Sequence, residues 1–240
     1  MSKKKIEPIT DLSVRDVKKP ASNYLVVHEN LPLVPFCLVL YGVPSSGKGV
    51  FLVNAIYSFY KNVFDEIYWF SSTVRVDNTM ANNIAKDETI TKIDDPDDLA
   101  NIDMFIKNII EEQKARKEAD EDLPEILIVL DDCLAFCNAK SILQLCTSYR
   151  HNRISVIISI QRLKSLSPVI RQCMSNIIAF GIPNSIQRKK FVEEFDAFPD
   201  IERHLEEATA KPFHYLHLDL KRMKLFHGGP SGMELKYSKL

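Results

Sequence analysis

The sequence predicts an α/β fold in which helices flank a mostly parallel β-sheet. Apolar, strand-like runs alternate with helical patterns from Leu33 to Glu207, and a β-hairpin is predicted near the C-terminus. The strand-like runs are continuously apolar, as expected of strands that are buried on both faces. Strands that alternate with helices in this way form parallel sheets with right-handed crossover connections.

The composition is typical of a globular protein with one full-sized core. The chain has 240 residues, of which 45% are hydrophobic, and a formal net charge of −1. So small a net charge does not require a nucleic-acid partner, and it still permits a local basic patch. The five cysteines are an odd number in mostly apolar surroundings, which indicates free thiols in a reducing compartment. We expect a soluble, intracellular protein without a membrane span, because no apolar run is long enough to cross a bilayer.

Hydrophobic periodicity and turn residues place the individual elements. Strands are expected at Leu33–Tyr41, Asp65–Ser71, Glu125–Asp132, Ile154–Ile160 and Asn176–Phe180. Helices are expected at Lys48–Lys61, from Pro96 onward with Asp95 as N-cap, and at Leu134–Tyr149, Pro168–Met174 and Ser185–Glu207, the last broken near Pro199. The C-terminal hairpin joins Phe213–Leu220 to Met223–His227.

The first strand runs into a glycine-bearing turn, GVPSSGKG, which a helix follows. The spacing from Gly42 to Gly47 and Lys48 is that of a phosphate-binding loop, G-x-x-x-x-G-K. In such a loop the glycines let the backbone wrap closely, its N–H groups point at phosphate oxygens, and the helix presents its positive N-terminal end. The predicted ATP-binding residues are Gly42, Val43, Pro44, Ser45, Ser46, Gly47, Lys48, Gly49 and Val50, with Lys48 reaching the β- and γ-phosphates.

One position departs from the usual loop. Ser or Thr normally follows the lysine and binds Mg²⁺ through its hydroxyl, whereas this chain has Gly49. The metal is then left to waters, phosphates and a carboxylate elsewhere, which agrees with the several waters that Mg²⁺ keeps. ATP and Mg²⁺ remain the expected cofactors.

A second chemical landmark is the pair Asp131 and Asp132 at the end of the strand Glu125–Asp132. Polar side chains at the carboxyl end of a buried strand lie beside the phosphate loop in an open α/β sheet. Asp131 is predicted to hold Mg²⁺, directly or through water, and Asp132 to orient and deprotonate the attacking water. The alternative is that the two aspartates only cap the following helix.

The strand Ile154–Ile160 has polar residues at both ends. We place this strand between the phosphate-loop strand and the Asp131 strand, so that Gln161 at its tip senses the γ-phosphate. Arg150 and Arg153 lie at its other end, far from their own nucleotide. We expect one of them, first Arg150, to enter a neighbouring subunit's site and stabilise charge on the transferring phosphoryl group.

Other interpretations of the arginines stay open. Arg162 or Arg171 could take the same role in place of Arg150 or Arg153. Each arginine could also be a solvated side chain or the partner of a surface salt bridge.

The segments GVPSSGKG, ILIVLDD, RHNRISVIISIQ and LSPVIRQ together resemble the poxvirus-type DNA packaging ATPases of the FtsK/HerA superfamily, which occur in large DNA viruses and virophages. The resemblance covers about residues 33–220. It implies a RecA/ASCE-like P-loop NTPase that hydrolyses ATP and moves double-stranded DNA into a preformed capsid. Carried over to this chain, Lys48 binds phosphate, Asp131 and Asp132 serve metal and water, Gln161 is the sensor, and Arg150 is the arginine supplied to a neighbour.

The resemblance also implies partners and a location. The partners are double-stranded DNA, further copies in a homo-oligomeric ring (pentamer or hexamer) and capsid vertex proteins, and the location is the viral factory in the host cytoplasm and the virion. Residues 1–31 are then an N-terminal arm, 32–228 the ATPase domain and 229–240 a C-terminal tail. Candidate DNA contacts are Lys164 and the lysines within 86–92, which would grip phosphates without reading sequence.

Two other functions are kept open. The loop also resembles that of adenylate kinase-like nucleoside monophosphate kinases, in which Gly follows the lysine. Those enzymes have Thr where this chain has Val50, and they carry an arginine-rich lid that this sequence lacks. The third possibility is a nucleotide-binding structural subunit with little turnover, for which Gly49 would be the sign.

Overall fold

The computed structural model describes residues 24–133 and 139–239. Its strands are β1 (Cys37–Tyr41), β2 (Glu66–Phe70), β3 (Ile90–Ile93), β4 (Ile126–Asp131), β5 (Ile154–Ile160), β6 (Asn176–Ala179), β7 (Tyr215–Asp219), β8 (Lys224–Gly229) and β9 (Gly232–Ser238). Its helices are α1 (Lys48–Asn54), α2 (Asn78–Asn82), α3 (Pro96–Ala100), α4 (Ile102–Glu118), α5 (Lys140–Ser148), α6 (Pro168–Cys173), α7 (Ser185–Glu194) and α8 (Ile201–Ala208). A π-helical segment, Ala55–Phe59, continues α1, and a 3₁₀ turn spans Leu163–Ser165.

The strands form one nine-stranded sheet in the order β3-β2-β4-β5-β1-β6-β7-β8-β9. The six strands from β3 to β6 in that order are parallel, and β7, β8 and β9 add antiparallel pairs at one side. β5 therefore lies between β1 and β4, as predicted. Because parallel strands end at the same edge of a sheet, the residues that follow β1, β4 and β5 come together there.

Helices cover both faces of the sheet, which explains the continuously apolar strands. In β1, Cys37, Val39 and Tyr41 belong to the core cluster that includes residues of α3 to α8. Leu38 and Leu40 belong to the cluster on the other face, which includes residues of α1, the π-helical segment and α2. Successive side chains of a strand point to opposite faces, so a strand between two helical layers is apolar at every position.

The predicted fold class is confirmed, and several element bounds agree closely. β5 has the predicted bounds, and the Asp95 side chain caps α3 by accepting a hydrogen bond from the Asp97 N–H. The helix expected at Ser185–Glu207 is split into α7 and α8 around Pro199, as predicted. Residues 1–23 of the predicted arm and residues 134–138 of a predicted helix lie outside the described residues.

Three elements were not predicted. α2 and β3 lie in a stretch whose polar residues hide both helical and strand periodicity, although Asp77 caps α2 through its side chain. β9 lies within residues 229–240 and extends the predicted C-terminal hairpin to three antiparallel strands. β1 begins at Cys37, later than expected, because Val34 pairs instead with Leu25 in an isolated antiparallel bridge.

Candidate functional site

The phosphate loop and the ends of β4 and β5 meet around one cavity of about 400 Å³. The predicted site residues that line this cavity are Pro44, Ser45, Gly47, Lys48, Gly49, Val50, Asp131, Asp132 and Gln161. Three neighbouring strands thus deliver the predicted phosphate, metal and sensor residues to one place. A crevice at the carboxyl ends of parallel strands is where ligands bind in open α/β sheets.

Two glycines shape the phosphate loop. A Cβ atom on Gly42 would come within 2.7 Å of Ser46 Oγ and 2.8 Å of Phe180 Cβ, so the backbone approach requires glycine. Gly47 has a φ angle of 109°, in the left-handed region that L side chains rarely adopt. The Gly42 N–H donates a hydrogen bond to the Ile160 carbonyl over 3.2 Å, which ties the start of the loop to β5.

The Lys48 ammonium is held inside the loop. Its Nζ donates to the Gly42 carbonyl over 2.8 Å and to the Val43 carbonyl over 2.9 Å. Burial lowers the pKa of Lys48, while the charges of Asp131 and Asp132 act in the opposite direction. The lysine is therefore a partly buried cation beside two carboxylates, at the place where an anionic ligand would complete its hydrogen bonds.

The same loop contains a buried hydroxyl. Ser46 Oγ is buried and has no hydrogen-bond partner among the residues that the structure describes. A buried, unpaired polar atom is costly unless a ligand or water satisfies it. Together with the lysine and the glycine-shaped backbone, this hydroxyl fits a loop that binds phosphate oxygens.

Asp131 ends β4 and projects toward the same cavity. Burial raises the pKa of its carboxyl group to about 6, and the charges of Asp132 and Asp77 add to the rise, while a hydrogen bond with Ser159 and the charge of Lys48 oppose it. The carboxylates of Asp131 and Asp77 and the hydroxyl of Ser159 are hard oxygen donors, which Mg²⁺ prefers. A divalent cation would also offset the negative charge that raises this pKa. The residues present therefore fit a Mg²⁺ site with Asp131 as its principal protein ligand.

Asp132 and Gln161 are joined directly. Gln161 Nε2 donates a hydrogen bond to Asp132 Oδ1 over 3.2 Å. Asp132 is exposed and has a φ angle of 55°, a left-handed conformation that is uncommon outside glycine and occurs at functional sites. The predicted general base and the predicted sensor thus form one unit at the mouth of the cavity.

Several lining residues were missed by the sequence interpretation. They are Thr73, Asp77, Thr79, Met80, Ser159 and Phe213. The Asp77 side chain accepts hydrogen bonds from the N–H groups of Thr79 and Met80, over 2.9 Å and 3.0 Å, and so positions α2 at the cavity wall. An aspartate before a short polar stretch is a local signal for such an N-cap. The other residues reach the cavity through tertiary packing, which no local pattern shows.

Met80 accounts for the space at the unusual loop position. A Cβ atom on Gly49 would lie 3.0 Å from Met80 Cε. The methyl group of Met80 therefore lies against the place where the side chain of the usual Ser or Thr would begin, and it would have to shift slightly to admit one. Thr73 and Thr79 supply hydroxyl groups elsewhere on the cavity lining.

The two predicted trans arginines lie at the other end of β5. Arg150 is exposed, and its Nη1 donates to the Tyr24 hydroxyl over 3.5 Å. Arg153 forms an ion pair with Glu125 at 3.6 Å and donates to the Leu123 carbonyl over 3.1 Å. The seven residues of β5 separate both from Gln161 by roughly 20 Å, so neither reaches the cavity of its own chain.

The alternative arginines differ in the same way. Arg162 is exposed directly after Gln161. Arg171 is held within the chain, because it pairs with Glu194 at 3.1 Å and donates to the Leu166 carbonyl.

Among the helices that the structure describes, none is long and apolar enough to span a membrane.

Comparisons with known proteins agree with this fold. The family model described as Poxvirus A32 protein matches residues 25–189. No curated protein sequence matches the chain. The genome packaging NTPase B204 of Sulfolobus turreted icosahedral virus 2, solved with AMP, superimposes with a TM-score of 0.57 at 16% identity, covering 85% of this chain and 98% of that chain.

Two further solved structures share the architecture. B204 of Sulfolobus turreted icosahedral virus, described as a DNA-packaging ATPase, has a TM-score of 0.58 at 14% identity, covering 86% of this chain and 99% of that chain. EssC (ATPases 2 and 3) from Geobacillus thermodenitrificans has a TM-score of 0.58 at 15% identity, covering 86% of this chain and 40% of that chain. At such low identity these likenesses establish the fold.

Proposed function

Because the chain belongs to the poxvirus A32 protein family, we propose that it is an ATP-hydrolysing motor that moves double-stranded viral DNA into a capsid. The observation that carries the proposal is the meeting of Lys48, Asp131, Asp132 and Gln161 around one cavity. The fold shared with B204, a genome packaging NTPase that was solved with AMP and with AMPPCP, supports nucleotide binding at this place.

The chemistry would be largely electrostatic positioning. Lys48 would exchange the loop carbonyls for the β- and γ-phosphate oxygens of ATP, which are stronger acceptors. Asp131 would hold Mg²⁺, which would offset the negative charge of the phosphates. Asp132, oriented by its hydrogen bond with Gln161, would accept a proton from the attacking water.

We propose that a neighbouring subunit completes the site with Arg150. Arg150 is exposed and cannot reach its own cavity, whereas Arg153 is held by Glu125 and the Leu123 carbonyl. A guanidinium supplied in trans stabilises charge on the transferring phosphoryl group and makes hydrolysis depend on assembly. This arrangement requires association of at least two copies, and the assembly that we propose is a homo-oligomeric ring, a pentamer or a hexamer.

The proposed DNA contact lies next to the sensor. Lys164 is exposed just beyond Gln161, and its side-chain hydrogen bond with Lys190, together with its charge, lowers the pKa of Lys190. Two ammonium groups that repel each other on a surface form a place where a DNA phosphate is favourable. Lys86 and Lys92 are less available, because they donate to Asn82 Oδ1 and the Asp87 carbonyl. Capsid vertex proteins, the viral factory in the host cytoplasm and the virion complete the proposed setting.

The test is ATP hydrolysis by mixed subunits across protein concentration, with and without double-stranded DNA. Lys48→Ala and Arg150→Ala should each be inactive alone, and an equimolar mixture should regain activity, since one subunit supplies the loop and its neighbour the arginine. Arg203→Ala, which removes an exposed arginine on α8, serves as the control and should keep full activity.

Three outcomes would contradict the proposal. A mixture that stays inactive would remove Arg150 from the trans role. Phosphoryl transfer to AMP that is independent of DNA would identify a nucleoside monophosphate kinase. Nucleotide binding without turnover, unchanged by Asp132→Asn, would identify a structural subunit.

A further inference from the structure

A second, larger cavity of about 880 Å³ lies beside the phosphate cavity. Its walls include five aromatic rings, those of Phe51, Phe59, Phe180, Phe213 and Tyr215. Four of them pack edge-on or tilted in one group, with ring centroids 5.5 Å apart for Phe51 and Tyr215 and 5.4 Å apart for Phe180 and Tyr215. The aromatic part of the walls is therefore apolar and held by mutual packing, while His28, Glu29, Asn30 and Asn54 add polar groups to the lining.

The two cavities are continuous with each other. Gly47, Val50 and Phe213 line both. The ring of Phe213 lies over the phosphate loop, since a Cβ atom on Gly47 would come within 3.2 Å of Phe213 Cδ1. A ligand whose phosphates lie on the loop would meet this ring as it leaves the phosphate cavity.

Phe213 itself is unusual. It has a φ angle of 64°, in the left-handed region, and it is 57% exposed. A bulky residue in this conformation is an outlier that costs free energy, and burial of its own ring recovers little of that cost. An exposed aromatic ring held in a strained backbone beside a loop is well suited to present one face to a ligand.

We propose that the second cavity takes the base of the nucleoside triphosphate and that Phe213 stacks on that base. This inference rests on the proposed nucleotide binding at the phosphate loop. The base is flat and aromatic, and one sugar joins it to the phosphates, so it matches a cavity with aromatic walls that adjoins the phosphate loop.

The same walls indicate which bases would bind. The Asn54 side chain, a polar group at the wall, is already engaged, since its Nδ2 donates to the Val50 carbonyl and its Oδ1 accepts from Ser58. Stacking on Phe213 would add affinity in proportion to ring area, whichever hydrogen bonds the polar lining residues His28, Glu29 and Asn30 make to the base edge. We infer a preference for purine over pyrimidine triphosphates.

The experiment compares ATP, GTP, CTP and inorganic tripolyphosphate by titration calorimetry. Phe213→Ala should weaken ATP and GTP binding about tenfold, and CTP less, while tripolyphosphate binding is unchanged. Phe213→Gly, which also relieves the left-handed backbone, should give the same loss, and Phe213→Tyr should restore binding. Ile186→Ala removes an exposed apolar side chain from α7 and should change nothing.

Fluorescence gives a readout of stacking itself. An etheno-adenine triphosphate should be quenched by the parent protein and not by Phe213→Ala. Equal loss of ATP and tripolyphosphate affinity in Phe213→Ala, or no loss of either, would overturn the inference about the base. Phosphate binding by the parent protein would be unaffected by that result. Failure of the parent protein to bind tripolyphosphate or ATP would overturn the proposed function as well.

Discussion

Two carboxylates at opposite edges of the sheet, the half-buried Asp131 and the buried Asp219, have opposite environments. Asp219, at the edge away from the phosphate loop, accepts hydrogen bonds from the N–H groups of Lys221 and Arg222 and from Arg222 Nε at 2.6 Å. Asp131, at the phosphate edge, has a pKa raised to about 6 by burial and by nearby negative charge. Hydrogen bonds and the arginine within the chain stabilise the negative charge of Asp219. The negative charge of Asp131 is only partly offset by its neighbours, so an additional cation would stabilise it. A carboxylate in a cleft whose charge is only partly offset is a candidate for a functional site.

The largest effect expected at the phosphate edge comes from Lys48→Ala. Charge-assisted hydrogen bonds to phosphate would be lost, so the dissociation constant for ATP should rise at least about 100-fold. The thermal unfolding midpoint should change little, because Lys48 bonds only to carbonyls of its own loop among the described contacts. Isothermal titration and thermal unfolding measure the two quantities, with Lys61→Ala as control. If Lys48→Ala lowered the unfolding midpoint and left ATP affinity unchanged, the phosphate edge would be the structural edge, contrary to this comparison.

At the opposite edge we expect the reverse. Arg222→Met leaves the Asp219 charge buried and frees the carbonyls of Glu29 and Leu31, which accept from Arg222 Nη1 and Nη2. The free energy of unfolding should fall by about 3 kcal/mol, as when one partner of a buried pair is removed. Urea unfolding measures this change.

A matched double variant sharpens that result. Asp219→Asn combined with Arg222→Met removes both charges and should recover part of the lost stability. Tripolyphosphate binding below the unfolding transition should match that of the parent protein in both variants. If Arg222→Met lost phosphate affinity while it kept its stability, the two edges would not be functionally distinct.

These differences bear on what the sequence could predict. Gly42, Lys48 and the Asp131–Asp132 pair follow local patterns, so spacing and strand order were enough to bring them together around β5. The fold class, which is confirmed, was predictable for the same reason, because apolar runs and helix caps are local signals. The chemical roles of these residues stay predictions.

What remained hidden depends on packing between distant segments. Phe213 and Met80 reach the site from a loop before β7 and from α2, and neither lies in a pattern that indicates a binding site. Asp219 lies near the end of a predicted strand and Arg222 in the hairpin turn that follows it, so nothing local separates a structural carboxylate from a metal-binding one. That distinction follows from burial and partners, which only the three-dimensional structure gives.

A smaller effect should distinguish the two carboxylates by pH. The folded-state pKa of Asp131 is raised to about 6, above its unfolded value, so the contribution of this group to the stability of the unliganded protein is lost as the pH rises from about 4 to 6. Asp131→Asn should then be more stable than the parent by about 1–2 kcal/mol at pH 7, with the gain disappearing near pH 4. Urea unfolding without Mg²⁺ or nucleotide measures it. Asp219→Asn, the control, should be destabilised at pH 7, and destabilisation of both variants would contradict the contrast.

The smallest expected effect concerns Gly49, where the phosphate edge lacks its usual hydroxyl. Gly49→Ser adds one oxygen ligand beside Asp131, so the Mg²⁺ concentration for half-maximal ATP binding should fall about threefold, a modest gain because Mg²⁺ exchanges one water for one hydroxyl. Gly49→Ala is the matched control, since either Cβ atom would lie 3.0 Å from Met80 Cε and displace that flexible methyl group. Equal shifts in both variants would show that helix propensity or Met80 packing, and not the hydroxyl, controls metal affinity. A shift confined to Gly49→Ser would show that the added hydroxyl binds the metal ion that Asp131 is proposed to hold.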